Sequence, residues 1–200
     1  MGILSKIKNK IKGSSTVANF DPQYAKNYLE ATIDTNRMFE VAGVCKQIIL
    51  NKDKYKLVSE KTGVPWRLIA CLHYRESSLD FRGVLHNGER ILGTGKKTKL
   101  VPAGCGPFKT WEEAAIDALL MKKKIFPQEW TIEKQLAFAE AYNGLGYKKR
   151  GELSPYVWAG TSKHDETGKY VADGKYSAVA VEKQLGAVAI LKYLENYPEV

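Results

Sequence analysis

Apolar residues recur at helical spacing through most of this chain. Residues 38–50, "MFEVAGVCKQIIL", carry that pattern, and a second helical stretch follows to about Lys61, where Gly63 stops it. Pro65 opens the next, "PWRLIACLHYRES", whose body contains Leu68, Ile69 and Leu72. Upstream, Asp21-Pro22 reads as an N-cap and first helical position. Downstream, "TWEEAAIDALLMKKKIF" opens with a capping box, Thr110 and Glu113, and ends before Pro127. "TIEKQLAFAEAYNG" is a further helix, stopped at Asn143-Gly144. "SAVAVEKQLGAVAILKYLENY" reads as a long terminal helix closed by Pro198. One segment breaks the period. "GVLHNGERIL", residues 83–92, sets Asn87-Gly88 between short apolar runs, a hairpin signal. The basic stretch "GTGKKTKLVPAGCGP" follows it without periodicity. The predicted fold is mainly α with a small β-hairpin lobe inserted after the helix that begins at Pro65.

The first sixteen residues, "MGILSKIKNKIKGSST", stand apart as a basic amphipathic tail. Ile3, Ile7 and Ile11 share one face, with Lys6, Lys8, Lys10 and Lys12 around it. Such a segment could rest on an anionic membrane surface or simply solubilise the chain. Residues 17–200 are then one globular domain, expected to be a monomer. The apolar and charged fractions are those of a water-soluble domain, and no run approaches the ~18–20 apolar residues of a membrane span. The N-terminus lacks the long apolar core of an ordinary secretory signal.

Net charge is +9, which favours an anionic partner: nucleic acid, an acidic membrane face or an acidic cell-wall polymer. No zinc-finger or RNA-binding signature accompanies the charge, so no specific nucleic acid is expected. The three cysteines, Cys45, Cys71 and Cys105, have no CxxC spacing, which argues against a disulfide framework and suits a reducing compartment. His73, His86 and His164 lie far apart and form no HExxH pattern, so no metal and no cofactor is expected.

The sharpest local feature is "CLHYRESSLDF", where an apolar helix ends on Glu76 between Arg75 and two serines. A carboxyl at a core boundary is partly desolvated, which raises its pKa and keeps it protonated near neutrality. Glycosidic cleavage needs such an acid. The plainer alternative is a surface glutamate at a helix end, paired with Arg75.

"GVPWRLIACLHYRESS" resembles the motif of goose-type lysozymes and lytic transglycosylases, in which a Gly-Val-Pro helix start leads to Glu-Ser. "AFAEAYNGLGY" resembles the Ala-Tyr-Asn-x-Gly signature of the same superfamily. Gly144 falls one place early for it and Gly146 one place late. Where that superfamily has Gly-Leu-Met-Gln, this chain has "AGCGPFKTWEEAAIDAL". "LHNGERIL" and the stretch from "SPYVWAG" to "QLGAVAIL" resemble bacteriophage endolysin and virion-lysozyme domains. The resemblance covers roughly residues 50–195.

It implies a lysozyme-like fold and a muramidase acting on bacterial peptidoglycan, at the β-1,4 bond between N-acetylmuramic acid and N-acetylglucosamine. Glu76 would be the catalytic acid, with Tyr142 and Asn143 lining the cleft. The protein would wait in the cytoplasm of the producing cell, or ride in a virion, before meeting the wall. Ser77 is a neighbouring hydrogen-bonding group, and the hairpin lobe is the facing wall. Glu89, just after the turn, is the candidate base for hydrolysis. Without a second carboxylate, the sugar's own hydroxyl would attack, giving the 1,6-anhydro product of a lytic transglycosylase. His86 could meet substrate from the turn or be a plain turn residue. Tyr147, Tyr156 and Trp158 offer rings suited to sugar faces, or pack under a long loop. A reading from another class is a non-catalytic wall-binding or virion structural protein.

Overall fold

The computed structural model describes residues 22–172 and 174–197. The basic tail, the Asp21 cap and the Pro198 stop lie outside them. The molecule is mainly helical with one small antiparallel sheet. Its elements run α1 (Gln23–Glu30), α2 (Met38–Leu50), α3 (Lys52–Thr62), α4 (Trp66–Ser77), α5 (Trp111–Leu120) and α6 (Ile132–Asn143). Two short helices, α7 (Gly146–Arg150) and α8 (Pro155–Trp158), lead to β1 (Thr167–Ala172), β2 (Lys175–Val181) and α9 (Ala187–Leu194). Among the described residues no helix is long and apolar enough to cross a membrane.

Helix α4 is the axis of the fold. Leu68, Ile69, Ala70, Cys71 and Leu72 are all fully buried, so apolar side chains point outward from it on every side and must be covered all round. Helices α3, α6 and α9 supply that cover, while α2 packs on α9 and α1 on α6. Each fully buried Leu or Ile stabilises by roughly 1.5–3 kcal/mol, so this helix's position is strongly fixed. Its start is set by Gly63, left-handed at φ +76°, which ends α3, and by the extended Pro65. The Thr110 hydroxyl caps α5 by accepting the Glu113 N–H at 3.2 Å. Glu113 returns the bond to the Lys109 N–H, at 2.9 Å, one residue earlier than in the reciprocal motif.

Two expectations need correction. Residues 83–92 form no strand. Their turn is closed by Val84 N–H to the Glu89 carbonyl and Gly88 N–H to the Val84 carbonyl, both 2.9 Å. Val84 and Ile91 then drop into a small separate core with Phe108 and Ala114. Residues on both sides of the turn are therefore spent on burial rather than on a ladder. The hairpin is instead β1–β2, with Tyr170 opposite Tyr176 and Ala172 opposite Lys175. That shortens the terminal helix, which begins at Ala187 and not at Ser177. Gly186 fixes this start. A side chain there would lie 2.6 Å from the Val157 carbonyl and the Ala159 nitrogen, so α9 docks on α8 backbone to backbone.

Candidate functional site

Helix α4 carries Glu76 out of the core on its last turn. The next residues, Ser78 and Leu79, both take left-handed backbone conformations, at φ 52° and 63°. Non-glycine residues rarely do so, and such strain concentrates at functional sites. Beneath this turn His73 is fully buried among Tyr55, Phe81 and Trp111, with Nδ1 2.9 Å from the Tyr55 hydroxyl. Burial pushes the His73 pKa down to about 4, so a neutral ring braces the helix end.

Glu76 lines a cleft of about 740 Å³, a volume suited to a ligand pocket. One side is Asn143, Gly144, Gly146 and Tyr147 from the α6–α7 corner; the other is Lys169, Tyr170, Val171 and Ala172 from β1. Arg75, Tyr156, Glu182 and Gln184 line the cleft too, with Lys149, Arg150, Pro155 and Gly174 at its edges. A second hollow of about 830 Å³ lies between residues 32–36 and 161–166. There Glu166 is paired with Arg37 at 2.9 Å, and none of the residues that single out Glu76 is present.

Burial drives the Glu76 pKa up to about 7, against the opposing pull of the Tyr156 hydroxyl, Arg75 and Lys122. Tyr156 donates its hydroxyl to Glu76 Oε1 at 2.8 Å. Its own pKa is pushed far up by burial and by the Glu76 charge, so it remains a donor. The Arg75 guanidinium stacks over the Tyr156 ring, 4.8 Å from its centre. Arg75 is held in turn by the Leu185 carbonyl at 3.2 Å and by Glu182 at 3.4 Å. Glu182 is the second carboxylate of the cleft. Burial alone would raise its pKa, but Arg75, the Gln184 N–H and Lys169 hold it below the usual glutamate value. The two cleft carboxyls are thus driven apart, one towards the neutral acid and one towards the anion.

The residues expected from the sequence divide sharply. Glu76, Asn143, Tyr147 and Tyr156 come together on one cleft. Tyr147 is mostly buried there; its hydroxyl accepts the Tyr170 N–H at 3.0 Å, and its ring meets Tyr170 edge-on. Tyr142 stands behind the wall, donating to the Leu85 carbonyl at 2.8 Å with Lys122 over its ring. Ser77 turns back onto its own chain, its Oγ 3.3 Å from the carbonyls of His73 and Asp80. Trp158 is only 1 % exposed and stacks on Tyr24, on a different hollow, so burial in the core replaces a sugar-facing role. His86 also leaves the cleft, being buried against Phe108 with Nε2 2.9 Å from Asp117.

Glu89 sits on the turn that touches the Glu76 helix end, because Gly88 packs against the Glu76 carbonyl oxygen. Its carboxylate, however, turns into its own lobe. It accepts the backbone N–H groups of Lys99 and Leu100, each at 2.9 Å, and the Asn87 amide at 3.1 Å. Asp80 is likewise engaged, by Arg82 and Arg90. Nothing in the local sequence around Arg75, Lys169, Tyr170 and Glu182 marks them as site residues. Asp173-Gly174 flanked by Tyr, Val and Thr is a hairpin pattern for 167–181, and only the fold makes that hairpin a side of the cleft. Comparison with protein-family models, curated proteins and solved structures finds no match to this chain.

Proposed function

We propose that this chain is a peptidoglycan glycosidase of lysozyme-like fold, with Glu76 as general acid at the β-1,4 bond between N-acetylmuramic acid and N-acetylglucosamine. The observation that carries this reading is the Glu76 carboxyl itself. It lines an open cleft, is neutral up to about pH 7, and has one oxygen already claimed by Tyr156. The Tyr156 bond at Oε1 leaves Oε2 to hold the proton and pass it to the glycosidic oxygen. Once the proton has gone, Arg75 and Lys122 favour the carboxylate that remains. The substrate class rests on the sequence motifs and on the +9 charge, which suits an anionic envelope.

A second reading of the product is favoured by the occupied carboxylates. Glu89 is bound by two backbone N–H groups, and Glu182 by Arg75, Lys169 and the Gln184 N–H. A base that activates water needs a free oxygen facing it. Their engagement supports attack by the sugar's own hydroxyl, the transglycosylase route. Mass spectrometry of digested muropeptides separates the two, since the anhydro product is lighter by one water.

The deciding experiment is Glu76→Gln. The change is nearly isosteric and removes the transferable proton, so wall clearing on a zymogram should fall on the order of 10²–10⁴-fold. A folded variant that clears at the wild-type rate would overturn the assignment of Glu76, whereas a wild-type protein that clears no wall at all would support a non-catalytic wall-binding role. The same variant carries a stability signature. The native pKa of about 7 exceeds the ordinary value of 4.5, so ionisation opposes folding. The penalty is absent below about pH 4, grows from there through pH 7, and is full above it. Glu76→Gln should therefore raise stability at pH 8, by up to about 3 kcal/mol, and leave it unchanged at pH 4. Wild-type activity should fall as pH rises through about 7.

A further inference from the structure

Outside the cleft, folding brings together three side chains that lie far apart in the sequence. His86 comes from the turn after α4, Cys105 from the end of the irregular basic loop, and Asp117 from α5. One ligand atom from each, a ring nitrogen, the thiol sulfur and a carboxylate oxygen, all lie within 4.8 Å of one another. We propose that His86, Cys105 and Asp117 form a divalent-metal site of the zinc type, which clips the 83–109 lobe to α5.

The donor set suits zinc, which takes thiolate, imidazole and carboxylate together in a tetrahedron. Bonds of about 2.0–2.3 Å place tetrahedral ligands roughly 3.3–3.8 Å apart. The present spacing closes to that by a shift of about 1 Å at the farthest atom. Charge also balances, because one thiolate and one carboxylate offset a dication above the apolar floor of Val84, Ile91, Phe108 and Ala114.

The ligands are already partly held in place. His86 is stacked on Phe108 at 5.3 Å, with its side chain 1 % exposed. Its Nε2 contacts Asp117, while its Nδ1 is buried with no hydrogen-bond partner. The Cys105 main chain is pinned twice to Thr98, by a 3.0 Å bond from Cys105 N–H to the Thr98 hydroxyl and a 3.0 Å bond from Thr98 N–H to the Cys105 carbonyl. Cys105 is only partly buried, which gives an ion an entry path, and its thiol meets the Pro102 carbonyl at 3.6 Å, a weak contact that ligation would replace. Met121 Sδ lies 4.0 Å from Cys105 Sγ, leaving the fourth position to water or to this thioether. The physical benefit is loop closure. Residues 83–109 form a long stretch without regular structure, and a clip across such a loop removes much unfolded-state entropy.

Cobalt(II) is the probe, because thiolate ligation gives a near-ultraviolet charge-transfer band that carboxylate and imidazole alone do not. The full chain, stripped with chelator, should bind one equivalent of Co²⁺ with that band, and one equivalent of Zn²⁺ should bleach it. Cys45 and Cys71 are buried, so Cys105→Ser should abolish the band. Asp117→Asn should weaken Co²⁺ binding by more than about tenfold, the loss that removing even an outer-shell partner gives. His86→Gln should do the same, and circular dichroism will show whether this buried variant folds. If it does not, the partly exposed Cys105 and Asp117 variants decide. No band in the wild type overturns the proposal. A band whose titration is unmoved by Asp117→Asn also overturns it, since the thiol would then be binding metal without this site.

Discussion

Residues 167–181 wall the Glu76 cleft as a hairpin, while residues 83–92 pack against the end of the Glu76 helix as an irregular loop. Each contains an Asx-Gly dipeptide, and Gly88 and Gly174 are both left-handed, at φ 76° and 67°. Their surroundings differ. The hairpin satisfies its backbone within its own ladder and leaves Val171, Val179 and Val181 largely exposed. It reaches α4 through the ion pair of Arg75 with Glu182, just past its end. The loop has no ladder. Buried side chains and the Glu89 carboxylate hold it, with Gly88 pressed on the Glu76 carbonyl. The hairpin is therefore joined to the Glu76 helix by charge, and the loop, which does not line the cleft, by close packing.

The charge joint should give the largest effect. Arg75 and Glu182 are both buried side chains, 8 % and 6 % exposed, and removing one partner leaves the other unpaired. Glu182→Gln should cost about 3–5 kcal/mol in denaturant melts. Arg75, no longer neutralised, should then stabilise the Glu76 carboxylate more strongly, moving the alkaline limb of activity to lower pH. An unchanged pH profile in a folded variant would show that the pair is a structural tie alone.

The packing joint comes next. Gly88→Ala combines left-handed strain with collision at the Glu76 carbonyl, and should cost about 2–4 kcal/mol. Because that carbonyl belongs to the proposed general acid, activity should fall even where the protein remains folded. A Gly88→Ala variant of normal activity and stability would mean that the loop does not brace Glu76.

Glu89→Gln probes what holds the loop. Losing two charge-assisted backbone bonds should cost about 1–2 kcal/mol, with little change in turnover. If turnover drops on the order of 10²-fold or more at unchanged stability, Glu89 is the base that the sequence pattern suggests, and the hydrolytic product follows.

These two regions also show how much is legible in the sequence: the 83–92 lobe, expected to face Glu76 across the cleft, lines no part of it. Helical period, Gly63, Pro65 and Thr110 placed the helices well, because those signals act within a few residues. Glu76 was legible for the same reason, since an apolar helix ending on a carboxylate is a local anomaly. Asn87-Gly88 does not seed a hairpin because Asn-Gly states what a turn tolerates, whereas long-range burial of Val84 and Ile91 decides whether strands follow. "SAVAV" joins an apolar helix in sequence, and only pairing with Thr167–Ala172 and the tight Gly186 junction separate them. The contacts of Glu182 with Arg75 span 107 residues, and those of His86 with Asp117 span 31, distances at which periodicity carries no information.

The smallest expected effect is the control that isolates the packing joint. At Gly174 an added Cβ meets nothing within 4 Å, whereas at Gly88 it meets the Glu76 carbonyl. Gly174 lines the cleft's edge, but the added methyl meets no protein atom, so Gly174→Ala should register left-handed strain alone, about 1 kcal/mol, with wall clearing nearly that of the wild type. The backbone angle is nearly the same at both sites, so the difference between the two alanine variants measures what close approach to Glu76 adds. Thermal melts of the pair, read alongside zymograms, make the measurement. Equal losses at both positions would assign the whole cost to backbone conformation. A Gly174 variant that loses activity with its stability nearly intact would show the hairpin turn taking part in binding the sugar chain, and would move the substrate contact from the base of this wall to its tip.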